Sequence, residues 1–331
     1  MADGFRAIVL EEQDGKVSGS VRQLTDADLP EGDVTVDVEY SDLNYKDGMI
    51  LNGIGRLVRR YPHVPGVDFA GTVAESAHPD FKPGDKVILT GWRVGESHWG
   101  GYSQRARVKG DWLLHLPEGF DTRHAMAMGT AGFTAALALL RLEEHGLTPG
   151  SDGELLVTGA SGGVGSVAVA LGAQRGYDVA AATGRAETHD YLRGLGARTI
   201  VDRHELSDGP IRPLDKERWI AAVDNVGSTT LGKVLSQLHY RGAVASCGLV
   251  GGNELTGTVV PFLLRGISLL GIDSVMAPKT ERIMAWTMLA QLPREQIDSM
   301  MQVVPLDQTL AMGTEILKGR TRGRVVIDVR G

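Results

Sequence analysis

From Asp33 to Tyr40 the chain reads DVTVDVEY, in which Val34, Val36, Val38 and Tyr40 alternate with polar residues. That period of two marks a strand with one buried face. Shorter runs follow in GTVAES, DKVILTG and GYSQRARV, separated by Pro- and Gly-bearing turns such as KPGD. Little helical spacing interrupts them, so the first third predicts a small β-barrel or open sheet. Near Gly129 the period changes, and Phe133, Ala136, Leu137 and Leu140 fall on one helical face. Beyond it ELLVTGA, DVAAATG, RTIVD, IAAVDNV and AVASCGL recur at roughly 20–25-residue intervals with helix-length segments between them. Such alternation predicts a parallel sheet covered on both faces. The closing run GRVVIDV has no place in that sheet and is expected to return to the first domain. No internal repeat or low-complexity segment is apparent.

Composition narrows the classes. The chain has 331 residues, which suggests two domains at roughly 150 residues each. A net charge of −7 provides no global field toward nucleic acid or membrane. The one cysteine, Cys247, lies in the apolar stretch AVASCGLV and reads as a small core residue. It can form neither an internal disulfide nor a Cys-rich zinc site. The N-terminal stretch lacks the apolar run of a signal peptide. The longest uncharged stretch, Ala125 to Leu140, is shorter than the about 20 residues of a membrane span. A soluble, cytoplasmic protein is expected.

Candidate chemistry concentrates in LLVTGASGGVGSVAVALG, an apolar strand running into Gly159, Gly162, Gly163 and Gly165 and then a helix-compatible segment. Glycine is needed there because a pyrophosphate must approach the backbone and the helix must pack closely on the strand. The amides at the helix start face the phosphate charge. An acid that binds the ribose 2′-OH of NAD is expected about 20 residues beyond the glycines. At that distance from Gly165 the second strand ends in ATGR, and the residue is Arg185. A carboxylate would repel a 2′-phosphate, whereas Arg offers it a fork of donors. Thr183 adds a hydroxyl, and Arg203 follows the next strand. The cofactor expected is NADPH.

The segments LNYKD, PGVDFAG, MGTAGFTA, VTGASGGVG and DNVG resemble the medium-chain dehydrogenase/reductase superfamily over essentially the whole chain. GWRVGESHWGGYSQRARVKGDWL and GIDSVM are similar to one branch, the acryloyl-CoA reductases and YhdH-type quinone oxidoreductases. The resemblance implies an α/β protein with a GroES-like β-rich substrate domain over residues 1–126 and a Rossmann doubly wound domain over 127–273. A C-terminal return to the catalytic domain over 274–331 completes it, with NADPH in the cleft between domains. It also implies cofactor contacts from Tyr45, Ser161, Gly162, Gly163, Val164, Thr183, Gly184, Arg185, Arg203, Leu249, Ser274 and Arg324, Leu249 through its backbone. Zinc-dependent members carry a ligand Cys where this chain has DLNYKD, and Gly-His-Glu where it has Gly66, Val67 and Asp68. The structural zinc lobe is missing too, so no metal is expected. His63, His98 and His115 form no ligand pattern.

A reductase without a Lewis acid needs a substrate that accepts hydride readily, and a C=C conjugated to a carbonyl does so at its β carbon. The charge then moves to the carbonyl oxygen, and a proton goes to the α carbon. The expected reaction is reduction of acryloyl-CoA to propionyl-CoA, with an NADPH:quinone or general enone oxidoreductase as the alternative and a non-catalytic NADPH-binding protein as a third reading. Tyr45 is the candidate catalytic residue, as a hydrogen-bonding partner of the nicotinamide ribose or as the proton donor. Arg56, Arg59 and Arg60 of GRLVRRYPH are candidates for the CoA phosphates, with Arg93 and Lys109 weaker ones. The family resemblance implies a homodimer, with GISLLGIDSV as the strand to examine.

Overall fold

The computed structural model describes residues 4–331; residues 1–3 of the expected first domain lie outside the described residues. The chain opens with seven strands: β1 (Phe5–Gln13), β2 (Lys16–Leu24), β3 (Val34–Leu43), β4 (Asp68–Ser76), β5 (Lys86–Thr90), β6 (Arg105–Val108) and β7 (Leu114–His115). A short helix, α1 (Tyr45–Leu51), follows β3, and a long one, α2 (Thr122–Glu144), follows β7. Six strands come next: β8 (Glu154–Val157), β9 (Asp178–Thr183), β10 (Thr199–Asp202), β11 (Trp219–Asp224), β12 (Leu238–Ser246) and β13 (Ser268–Gly271). The helix α3 (Gly163–Gln174) joins β8 to β9. The last strands are β14 (Met301–Pro305) and β15 (Arg324–Asp328).

These elements form two compact units. One runs through Thr130 and resumes over Ile297–Gly331; the other is Ala131–Gln296. In the first, β1 and β2 pair as an antiparallel hairpin, and a larger sheet has the order β14-β15-β3-β4-β5-β7 with β6 also on β3. The closing strand β15 lies antiparallel on β3, with Val325 opposite Leu43. Alternation in β3 works as the sequence implies: Val34, Val36 and Val38 are fully buried with Phe69, Leu89 and Tyr102 in one core.

The second unit is one parallel sheet of order β10-β9-β8-β11-β12-β13. Its order reverses between β8 and β11, the switch point outside which open α/β sheets bind their ligands. Apolar runs read as strands because both faces are covered: Leu155, Leu156 and Val157 of β8 are all at zero exposure.

Two boundaries differ from expectation. Residues 127–130 stay with the first unit because the Thr130 N–H and hydroxyl both donate to Asp68, at 2.6 and 2.5 Å. Residues 274–296 stay with the second because the helix Lys279–Leu289 buries Arg282 and Trp286, and the Arg282 guanidinium lies 5.1 Å from the Phe133 ring. By length and composition α2 could cross a membrane, but 83% of its apolar window is buried inside the protein. It is longer than the helical spacing suggested because two helices join across Gly129, whose φ of 50° and ψ of −155° are not helical.

Candidate functional site

In the second unit the Gly-rich turn leaves β8 and enters α3 with Gly162 as the cap residue. A Cβ on Gly165 would collide with the Gly159 carbonyl, so this position holds helix and turn in contact only as glycine. The first amides of α3 have no intrahelical acceptor. Beside them Ser161 and Thr183 hydroxyls lie 3.3 Å apart, and Thr183 is 3.3 Å from Thr188. Arg185 leans back over the turn, its Nη2 donating to Ser161 Oγ at 2.7 Å and to the Ser161 carbonyl at 3.1 Å. The Arg203 side chain lies against Gly184, close enough that a Cβ there would strike its Cδ and Nε. Ser161, Thr183, Gly184, Arg185 and Arg203 thus stand together at the ends of β8, β9 and β10. Hydroxyls and guanidinium groups in one place can donate together to anionic oxygens such as those of a phosphate.

The other expected residues of this unit are spread more widely. Gly163 and Val164 open α3. Leu249 is 62% exposed in the loop after β12. Ser274 follows β13, and its carbonyl accepts from Arg282 at 3.4 Å. Cys247 is half-buried, and its thiol donates to Asn225 Oδ1 at 3.2 Å. Burial pushes that thiol up to about 12, which makes it a poor nucleophile.

In the first unit Tyr45 is the first residue of α1 and is 41% exposed. Asn44 and Asp47 form a capping box around it. The Asp47 carboxylate accepts the Asn44 N–H at 2.9 Å and the Val67 N–H at 3.0 Å. Below the cap lies a group that the sequence reading missed. Asp42, Asp47 and Asp68 are all at zero exposure, and Arg324 is at 2%. Asn44 Nδ2 donates to Asp42 Oδ1 at 2.8 Å and to Asp68 Oδ2 at 3.0 Å. Arg324 donates to Asp42, to the Ala127 carbonyl at 2.9 Å and to Asn44 Oδ1 at 3.4 Å. Arg324, expected among the cofactor contacts, places its guanidinium among buried groups of its own unit.

Three buried acids against one base leave an excess of negative charge, which proteins relieve by holding protons. Burial and the neighbouring Asp68 hold the Asp42 carboxyl well above the usual carboxylate range despite Arg324. Burial raises Asp47 to about 7. Burial also raises the Tyr102 phenol, which donates to the Asp42 carbonyl at 2.9 Å.

Arg56, Arg59 and Arg60 are exposed on the segment after α1. Arg56 takes a left-handed φ of 50° after Gly55. Of the weaker candidates, Lys109 lies 5.6 Å over the Trp112 ring and Arg93 is exposed with a φ of 58°. The histidines serve structure: His63 and His98 each bind a backbone carbonyl at 2.8 Å.

Comparison with known proteins places this arrangement. Residues 30–118 match the model of the alcohol dehydrogenase GroES-like domain, and residues 163–327 that of the zinc-binding dehydrogenases. A Ruegeria pomeroyi protein named acrylyl-CoA reductase AcuI is 57% identical over 98% of this chain and 99% of its own. The chain belongs to the medium-chain dehydrogenases/reductases, in their acrylyl-CoA reductase branch. The crystal structure of the yhdH oxidoreductase from Salmonella enterica, solved in complex with NADP, is 49% identical. It superposes with a TM-score of 0.96 over 98% of this chain and all of that one. The Bacillus subtilis protein yhfP, solved with NAD bound, is 44% identical, with a TM-score of 0.95 over 99% of this chain and all of its own.

Zinc, which one family description implies, does not fit this member of the superfamily. Asn44 offers a carboxamide, Asp68 is spent on Thr130 and Asn44, and the Arg324 guanidinium already stands in the acid cluster. Among the described residues no group of three or more His, Cys, Asp or Glu is arranged to hold a metal ion.

Proposed function

We propose that the protein is an NADPH-dependent reductase that converts acryloyl-CoA to propionyl-CoA, with hydride added at the β carbon and a proton at the α carbon. One observation carries the reading: the Ser161–Thr183–Arg185 cradle stands in a chain 57% identical to an acrylyl-CoA reductase. NADPH, when bound, supplies the hydride. Ser161, Thr183, Arg185 and Arg203 hold its 2′-phosphate, and the Ser161–Val164 turn receives its pyrophosphate. Tyr45, exposed at the start of α1, hydrogen-bonds the nicotinamide ribose or gives the proton. Arg56, Arg59 and Arg60 have no ion pair among the described residues, so their charge is available to the phosphates of CoA. Binding the remote CoA moiety positions a substrate whose reacting part is only three carbons long.

The reading includes a homodimer. The outer edge of β13 carries no strand among the described residues, and Val259, Leu263 and Leu264 before it are 65–75% exposed. NADPH and coenzyme A are both cytoplasmic reactants, which suits a cytoplasmic enzyme.

The test is NADPH oxidation with acryloyl-CoA, free acrylate and a simple quinone at equal concentrations. The reading expects turnover of acryloyl-CoA far above the other two, and a KM for acryloyl-CoA at least ~10-fold higher in an R56A/R59A/R60A variant, as lost charge-assisted bonds imply. Equal or better turnover of the quinone would leave a general enone or quinone reductase whose arginines are only surface.

A further inference from the structure

The cap of α1 is more elaborate than a cap requires. A helix N-terminus needs one side-chain acceptor, and serine or threonine supplies it. Asn44 meets that need through the capping box with Asp47. It also uses both hydrogens of its carboxamide, one on Asp42 and one on Asp68, while its oxygen receives Arg324. Only a side chain with two donors and an acceptor in one plane can do all of this.

Its partners come from distant parts of the chain. Asp42 ends β3, Asp68 opens β4 and Arg324 opens β15. Thr130 fastens Asp68 from the far side. Gly129 is what admits this packing, because any Cβ there would overlap the Asp42 carboxylate. Asn44 is thus the side chain through which three strands meet the first turn of α1.

Tyr45 depends on that turn. Its phenol has no hydrogen-bond partner among the described residues, and its side chain is 41% exposed. Its placement therefore comes from its backbone, fixed by Asn44 on one side and by Asp47, through Val67, on the other.

We propose that Asn44 is a positioning residue for the reaction, carrying the order of the buried Asp42–Asp68–Arg324 cluster into the first turn of α1 and so setting where Tyr45 stands. This rests on the reading that Tyr45 works at the reacting centre. A side chain of the right size that caps without bridging should then leave the helix in place and misplace the phenol.

Asn44→Ser does this, since it keeps a capping hydroxyl and loses the carboxamide. The steady-state kinetics of N44S with NADPH and acryloyl-CoA, its thermal midpoint and its NADPH affinity are compared with those of Tyr45→Phe. The expected result is a kcat lowered ~10-fold or more in both variants, as a misplaced catalytic group implies, with NADPH affinity lowered no more than about fivefold because the Ser161–Arg185 cluster is untouched and at most one hydrogen bond to the cofactor is lost. Thr130→Val loosens Asp68 without altering α1, and is expected to lower kcat about two- to fivefold in the same direction; it decides the matter should N44S not fold. Full kcat in N44S, or in T130V if N44S does not fold, beside an impaired Y45F would overturn the role of Asn44 alone. Full kcat in Y45F would overturn the assignment of Tyr45 and this inference with it.

Discussion

Arg185 and Arg324 present the same guanidinium to opposite surroundings. Arg185 is half-buried at the end of β9, and the Ser161 hydroxyl and carbonyl hold its Nη2. Arg324 is 2% exposed and meets a carboxylate, a carboxamide and a backbone carbonyl. Hydroxyl and carbonyl dipoles orient the one guanidinium, whereas a buried acid, a carboxamide and a backbone carbonyl surround the other. The lesson is that an arginine in a family motif says little until its partners are known. One of these residues lies on the Gly-rich turn, and the other ties β15 to the end of β3 and to the cap of α1.

That contrast can be broken most forcefully at Arg324. Replacing it by alanine leaves the Asp42 carboxyl, the Asn44 oxygen and the Ala127 carbonyl without their buried donor, so R324A should lose about 3 kcal/mol or more of stability. Chemical denaturation would measure it. Loss of activity with unchanged stability would instead mark Arg324 as a cofactor contact.

A smaller effect separates the two regions by pH. Asp47 is raised to about 7 and Asp42 is also raised, so both bind protons more tightly in the folded chain than in the unfolded one. The stability they contribute is complete below the unfolded value, near pH 4, and is lost as pH rises through the folded values. The thermal midpoint should therefore fall between about pH 5 and pH 8. A midpoint that rises over this range would show that the buried acids are ionised throughout.

Leu249 marks the small end of the scale. Its side chain is 62% exposed, so L249A should change the KM for NADPH by no more than about twofold. A larger change would give the side chain itself a role.

Much of this was legible in the residues. Period-two alternation located β3, and apolar runs located β8 to β13, because burial of one or both faces leaves a pattern in the sequence. The grouping of Ser161, Thr183 and Arg185 was legible too, since ATGR puts a base at the strand end beside the Gly-rich turn. The hairpin of β1 and β2 was not, nor was β14, whose exposed Gln302 and Val303 blur the alternation. The start of α2 was hidden by the break at Gly129. The acid cluster was missed because its members meet only through the pairing of β3 with β4 and β15. A signal did exist: Asp68 in PGVDFAG is an acid in an apolar run, and buried acids require partners.

The most direct test of the account is the binding of NADPH and NADH to the wild-type chain and to R185A, followed by cofactor fluorescence. The account predicts that the wild type prefers NADPH by ~100-fold or more, and that R185A loses most of this preference while its affinity for NADH barely changes. Equal binding of the two cofactors by the wild type, or an undiminished preference in R185A, would contradict it.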